Sequence, residues 1–159
     1  MGLAARVRVK QVVPLSSAWG KLSRVVLDYL RNDGTWQEQV REVYDKGDGA
    51  TILLYNRARR TVILTRQFRY PAFVKGHDAL LLETPAGLLD GHAPEDCIRA
   101  EAEQETGFRV AQPEKLFHCF MTPGAVTEIV HFFAAEYHAD DRVGEGGGLV
   151  KLTEVADVR

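Results

Sequence analysis

The stretch ETPAGLLDGHAPEDCIRAEAEQETGF, residues 83–108, carries a break, a helix and a stop in that order. Pro85 and Gly87 force a loop after a short apolar strand over 79–82. Pro94 suits a first helical turn, where a missing N–H costs nothing. Glu95 and Asp96 favour the positive end of the helix dipole, and Gly107 ends the helix. At about 100° per residue, Glu101 and Glu105 fall on the arc of Cys97, Ile98 and Ala102, whereas Asp96, Arg99 and Glu103 take the opposite arc. The apolar face of an amphipathic helix therefore carries two carboxylates.

Burying a carboxylate costs several kcal/mol unless a cation or hydrogen bonds compensate. Like charges four residues apart also repel, and no Lys or Arg lies on that arc. A divalent ion is the economical counterion, and hard oxygen ligands with room for water and phosphate suit Mg²⁺. The carbonyls of Pro85-Ala86-Gly87 lie close enough in sequence to complete its oxygen shell. The competing reading of the same geometry puts both glutamates at the edge of the interface, reaching solvent or a distant arginine.

Outward from this segment, period-two alternation marks strands around Val7–Gln11, Leu22–Leu30 and Trp36–Tyr44. Asn32-Asp33-Gly34 turns the last two into a long hairpin. A second hairpin runs Thr51–Tyr55 and Thr61–Arg69 about a basic turn. Beyond the helix, Leu116–Met121 and Glu128–Tyr137 read as strands joined at Thr122-Pro123-Gly124. The run Gly146-Gly147-Gly148 reads as a flexible loop rather than a phosphate cradle, since no helix pattern follows it.

A chain of 159 residues suits one sizeable core, and its 45% hydrophobic and 26% charged content is that of an ordinary globular protein. The formal charge of −2 lacks the basic excess of a general nucleic-acid binder. No apolar run approaches the ~20 residues of a membrane span, and no signal-peptide h-region opens the chain, so a cytoplasmic location is expected. Cys97 and Cys119 form no CxxC or zinc pattern and read as free thiols. His118 and His131 read as packed or sheet-face residues, His77, His92 and His138 as loop residues, and none has ligand spacing with another.

The loop, helix, Glu101, Glu105, Gly107 and Phe108 in register resemble the Nudix box, a loop–helix–loop that holds divalent ions against a diphosphate. Outside it, Arg41-Glu42-Val43-Tyr44-Asp45, Gly49–Tyr55, Arg66-Gln67-Phe68-Arg69 and Pro123–Glu128 resemble the family's branch that hydrolyses nucleoside diphosphate sugars, above all its GDP-mannose hydrolases. The likeness covers roughly residues 15 to 149. It implies an α/β fold, an α/β/α sandwich with a mixed central sheet (47–159), preceded by an N-terminal antiparallel hairpin region (1–46) exchanged between subunits of a homodimer. It further implies hydrolysis of GDP-mannose to GMP and mannose 1-phosphate with Mg²⁺, and no nucleic-acid or membrane partner. ADP-ribose is the second substrate, and a binding module that has lost turnover is the competing class.

By the same resemblance Ala86, Glu101 and Glu105 are the metal positions and Glu128 the water-activating base. On the residues alone, Glu128 reads as a surface carboxylate at a strand entry. Arg41 and Glu42 correspond to positions where the partner subunit grips the base, and Trp19 to an aromatic position that could stack on it, although on the residues alone a lone Trp reads as core or interface; Arg69 could pair with phosphate bidentately, and Ala86 and Gly87 line the substrate. The departures are a loop one residue shorter than usual after Gly87, His92 near a usual Glu, Ala100 for the basic residue, and Gln104 for the first paired glutamate. The last is expected to remove a negative charge from the inward arc. The family's further acidic residue after the glycine run, and its C-terminal amphipathic helix, find no counterpart in residues 149–159.

Overall fold

The computed structural model describes residues 2–148 and the backbone of 154–158. The chain divides into two compact units, Met1–Gly47 with Phe120–Ile129, and Asp48–Cys119 with Val130–Arg159.

In the first unit, strands β1 (Val7–Ser17), β2 (Lys21–Leu30) and β3 (Trp36–Asp45) form an antiparallel sheet in sequence order. The β2–β3 register is unbroken from Lys21 opposite Asp45 to Leu30 opposite Trp36, as the alternation requires. Their turn is held by Asp33, whose Oδ1 accepts from the Thr35 amide and hydroxyl, and Gly34 takes the positive φ of 84°. Pro14 can donate no ladder bond, and it lies in the edge strand β1, next to a register shift. The segment 120–129 is stitched to the end of β3: the Tyr44 amide donates to the Ala125 carbonyl and the Thr127 amide to the Tyr44 carbonyl.

The second unit is built on a mixed sheet. Strands β4 (Gly49–Asn56), β5 (Thr61–Gln67), β8 (Glu114–Phe120), β9 (Ile129–Glu136) and β10 (Glu154–Val158) run in the order β10-β5-β4-β9-β8. Short strands β6 (Leu81–Glu83) and β7 (Ala86–Leu88) pair with β5 and β4. The β4–β9 pair is parallel, while β5 and β7 lie antiparallel to β4. Helix α1 (Tyr70–Phe73) is a single turn, and α2 (Pro94–Thr106) is the one longer helix among the described residues. Ile98 and Ala102 of α2 complete a core with Ile52, Leu54, Ile63 and Phe133, all but shut off from solvent. Leu53 and Phe117 remain exposed.

Two local expectations are corrected. Residues 86–88 form a strand, not a loop: Ala86, Gly87 and Leu88 lie opposite Thr51, Ala50 and Gly49. Pro85 stands just outside this ladder, so its missing N–H breaks nothing, and its carbonyl accepts from the Ile52 amide. The glycine run is no free loop either. Gly146, Gly147 and Gly148 have φ values of 75°, 97° and 73°, and the amides of Gly147 and Gly148 donate to the carbonyls of Glu105 and Gln104. These are carbonyls that a helix end leaves without an intrahelical partner. Residues 154–158 form a strand that the alternation does not predict, and residues 149–153, where no counterpart of the family's acidic residue is expected, lie outside the described residues.

Gly107 closes α2 as expected, in the left-handed region at φ 77° with its amide on the Glu103 carbonyl. A Cβ there would stand 2.3 Å from the Gly144 carbonyl oxygen. Gly107→Ala should therefore destabilise the fold by about 2 kcal/mol or more, through backbone strain and the clash together. Urea denaturation checks this: the midpoint should fall with the slope unchanged.

Candidate active site

Helix α2 turns Cys97, Ile98, Ala102, Glu105 and Thr106 inward, leaves Glu101 half-buried, and exposes Glu103 and Gln104. The acidic inner face is thus real, and the outward position of Gln104 corrects the expectation that its replacement strips charge from that face. Ala100 is exposed as well. Glu105 retains only 9% of its surface. Its Oε1 accepts from Gln67 Nε2 at 2.9 Å and its Oε2 from the Ala86 amide at 3.2 Å. The Ala86 amide is aimed by the strand pairing of β7 and by Thr51, whose hydroxyl donates to the Pro85 carbonyl at 3.0 Å.

Glu101 lies directly against Gly87. A Cβ at 87 would come within 2.1 Å of Glu101 Oε1, so glycine is needed there for close approach and not for an unusual φ. Ala86, Gly87, Glu101 and Glu105 are therefore gathered at one spot, as the sequence reading requires.

Burial pushes the Glu105 carboxyl above its ordinary range, the Ala86 and Gln67 hydrogen bonds pull it back, and the Glu101 charge adds to the rise. Burial also raises Glu101, helped by Asp90. The Cys97 thiol is pushed up by burial and by the same two carboxylates. Among the described residues Arg69 is the one basic group that eases Glu105, but its Nε donates to Glu83 Oε2 at 2.9 Å. This excess of hard oxygen donors fits a divalent ion. Among the described residues no three His, Cys, Asp or Glu side chains form a ready cage.

The remaining predicted residues belong to the first unit. Trp19 is 71% exposed between β1 and β2. Arg41 donates to the Val40 carbonyl and to Gln39 Oε1, and with Val43, Phe120, Pro123 and Thr127 it lines a groove of about 500 Å³. Glu42 is exposed. Glu128 is ion-paired with Lys46, both largely buried. Two residues escaped the sequence reading. Gln67 is the last residue of β5, and which face of that strand meets α2 leaves no local signal in the sequence. Nothing in the sequence links Lys46 to a carboxylate 82 positions away. The two sheet histidines stack with ring centroids 5.5 Å apart.

Glu101 accepts no hydrogen bond from a described residue, so its charge is a cost in the metal-free fold. Its folded pKa lies above the unfolded one. Stability then falls as pH rises from the unfolded value through the folded one, and the deficit persists at higher pH. Glu101→Gln should accordingly melt a few degrees above the parent at pH 7.5 in chelator, and the gain should vanish near pH 4. Thermal melts at the two pH values check this.

A family model described as "NUDIX domain" matches residues 45–158, and one described as "GDP-mannose pyrophosphatase NudK N-terminal domain" matches residues 6–44. Among curated proteins, the GDP-mannose pyrophosphatase of Yersinia enterocolitica is 56% identical over 136 residues, 85% of this chain and 71% of the relative. That of Pectobacterium atrosepticum is 57% identical, covering 85% and 70%. That of Yersinia pestis (strain Pestoides F) is 49% identical over 148 residues, covering 92% and 75%. Nudix hydrolases generally use divalent metal ions, in keeping with the acidic face of α2. With the NUDIX match running over most of its length and relatives this similar, the chain belongs to the Nudix family and is one of its hydrolases.

Proposed function

We propose that this enzyme hydrolyses the pyrophosphate bond of GDP-mannose, giving GMP and mannose 1-phosphate, with Mg²⁺, as a cytoplasmic homodimer. The observation that carries the reading is the pair Glu101 and Glu105, turned inward beside Ala86 and Gly87, in a chain whose relatives are named GDP-mannose pyrophosphatases. Ala100 and Gln104, the departures that favour a module without turnover, are exposed, away from that inner face. No helix among the described residues is long and apolar enough to cross a membrane.

The Ala86 carbonyl and the carboxylates of Glu101 and Glu105 would hold the ion. A bound divalent ion supplies charge neutralisation for the diphosphate and lowers the cost of forming a nucleophile from water. Water attacks one phosphorus, the bridging P–O bond breaks, and Glu128 accepts the proton that water gives up. Lys46 fixes the position of the Glu128 side chain through their ion pair. Arg69 is fit to grip a phosphate with two donors once it exchanges Glu83 for substrate. Arg41 and Glu42 of the partner subunit contact the base, and Trp19 stacks on it.

Incubation with Mg²⁺ and a panel of sugar nucleotides should release nucleoside monophosphate and sugar phosphate fastest from GDP-mannose. EDTA should abolish turnover, and Glu105→Gln should lower kcat by at least about 100-fold. Tight binding without product would instead make the chain a sugar-nucleotide binding module.

Glu128→Gln keeps shape and removes basicity, so kcat should fall with KM little changed. A kcat equal to the parent's would move the base elsewhere. Mixing Arg41→Ala chains with Glu105→Gln chains should restore activity, through heterodimers in which one site is intact. Activity no higher than that of the separate variants would mean that the sites are not shared.

A further inference from the structure

The geometry points to Gln67 as the positioning residue that presents Glu105 to the divalent ion: its side-chain amide fixes the carboxylate without contributing a charge. This rests on Glu105 being a metal ligand. Gln67 is the last residue of β5 and lies opposite Leu81 of β6, so its backbone is held by a strand pair rather than by a loop. Two residues earlier on the same face, Thr65 is fully buried and its hydroxyl donates to the Glu83 carbonyl, which anchors the end of the strand. From that fixed position Gln67 Nε2 donates to Glu105 Oε1 at 2.9 Å, while the Ala86 amide donates to Oε2 at 3.2 Å.

The two donors play different parts. A carboxylate oxygen has two lone-pair sites, so one hydrogen bond on each oxygen leaves one site on each for a cation. The Ala86 donor is backbone and would survive any side-chain change at 86, whereas the Gln67 donor is supplied by a side chain alone. A lysine or arginine at 67 would satisfy Oε1 equally well, but its charge would compete with the ion for the same carboxylate. A neutral donor avoids that competition. Without it, a side chain that is 9% exposed would have one oxygen facing no donor and be held by the Ala86 amide alone. Groups that orient a metal ligand in this way are typically worth about 10- to 100-fold in metal affinity.

The test uses Mn²⁺ as probe, titrated into the metal-free full chain and followed by electron paramagnetic resonance of the free ion. Gln67→Met keeps length and removes the donor, and Gln67→Asn keeps the amide but withdraws it from reach. Both should bind Mn²⁺ about 10- to 100-fold more weakly than the parent. In GDP-mannose hydrolysis, the Mn²⁺ concentration for half-activation should rise in step, while KM for the nucleotide at saturating Mn²⁺ stays within about twofold. Metal-free melting temperatures separate this from misfolding, and if Gln67→Met melts early, Gln67→Asn decides. Parent-like Mn²⁺ affinity in a folded variant overturns the role of Gln67 and leaves Glu105 as ligand. Parent-like affinity in Glu105→Gln overturns the underlying ligand assignment, and the role of Gln67 with it.

Discussion

Two carboxylates on the buried side of one helix set the terms for everything around them. A helix normally spends its inner face on apolar contacts, and α2 does so with Ile98 and Ala102. Placing Glu105 beside them creates a local debt of several kcal/mol that must be met by hydrogen bonds or a cation. The neighbouring backbone meets part of it. The pairing of β7 aims the Ala86 amide at Glu105, and Gly87 has no side chain where Glu101 must lie. What remains unmet is negative charge, which both carboxyls register as a raised pKa.

The same constraint separates the roles of the two units. The acidic helix needs a stiff support, and β4, buried along most of its length and paired to three other strands, supplies it. The first unit has few buried side chains, and it leaves Trp19, between β1 and β2, and Arg41 and Glu42, on β3, exposed. The two inward glutamates and the exposed Trp19, Arg41 and Glu42 thus come from parts of the chain with different packing.

Much of this was legible in the residues. Alternation gave the three N-terminal strands, because a half-exposed sheet must alternate; the 3.6-residue period gave α2 and its acidic face, because no other secondary structure brings 101 and 105 together. The motif register identified the loop partners of the helix. Three things were not legible. Pairing of β7 to β4 depends on a strand far away in sequence, and local Pro and Gly outweigh it in any local reading. The Gln67 contact requires knowing which face of β5 meets α2. Lys46 and Glu128 meet only because a turn at 122–127 folds back on Tyr44, a long-range event with no periodic trace.

Gly146-Gly147-Gly148 has the least informative composition in the chain, and a low-complexity filter would discard it. Its backbone nonetheless seals the end of the helix that carries Glu105, and it does so through atoms every residue possesses. What is specified there is the absence of a Cβ, since one at Gly146 would stand 2.6 Å from the Glu105 carbonyl oxygen. Information of this kind is invisible to any measure that scores a position by the chemistry of its side chain. In this fold it is written in the residue that has none.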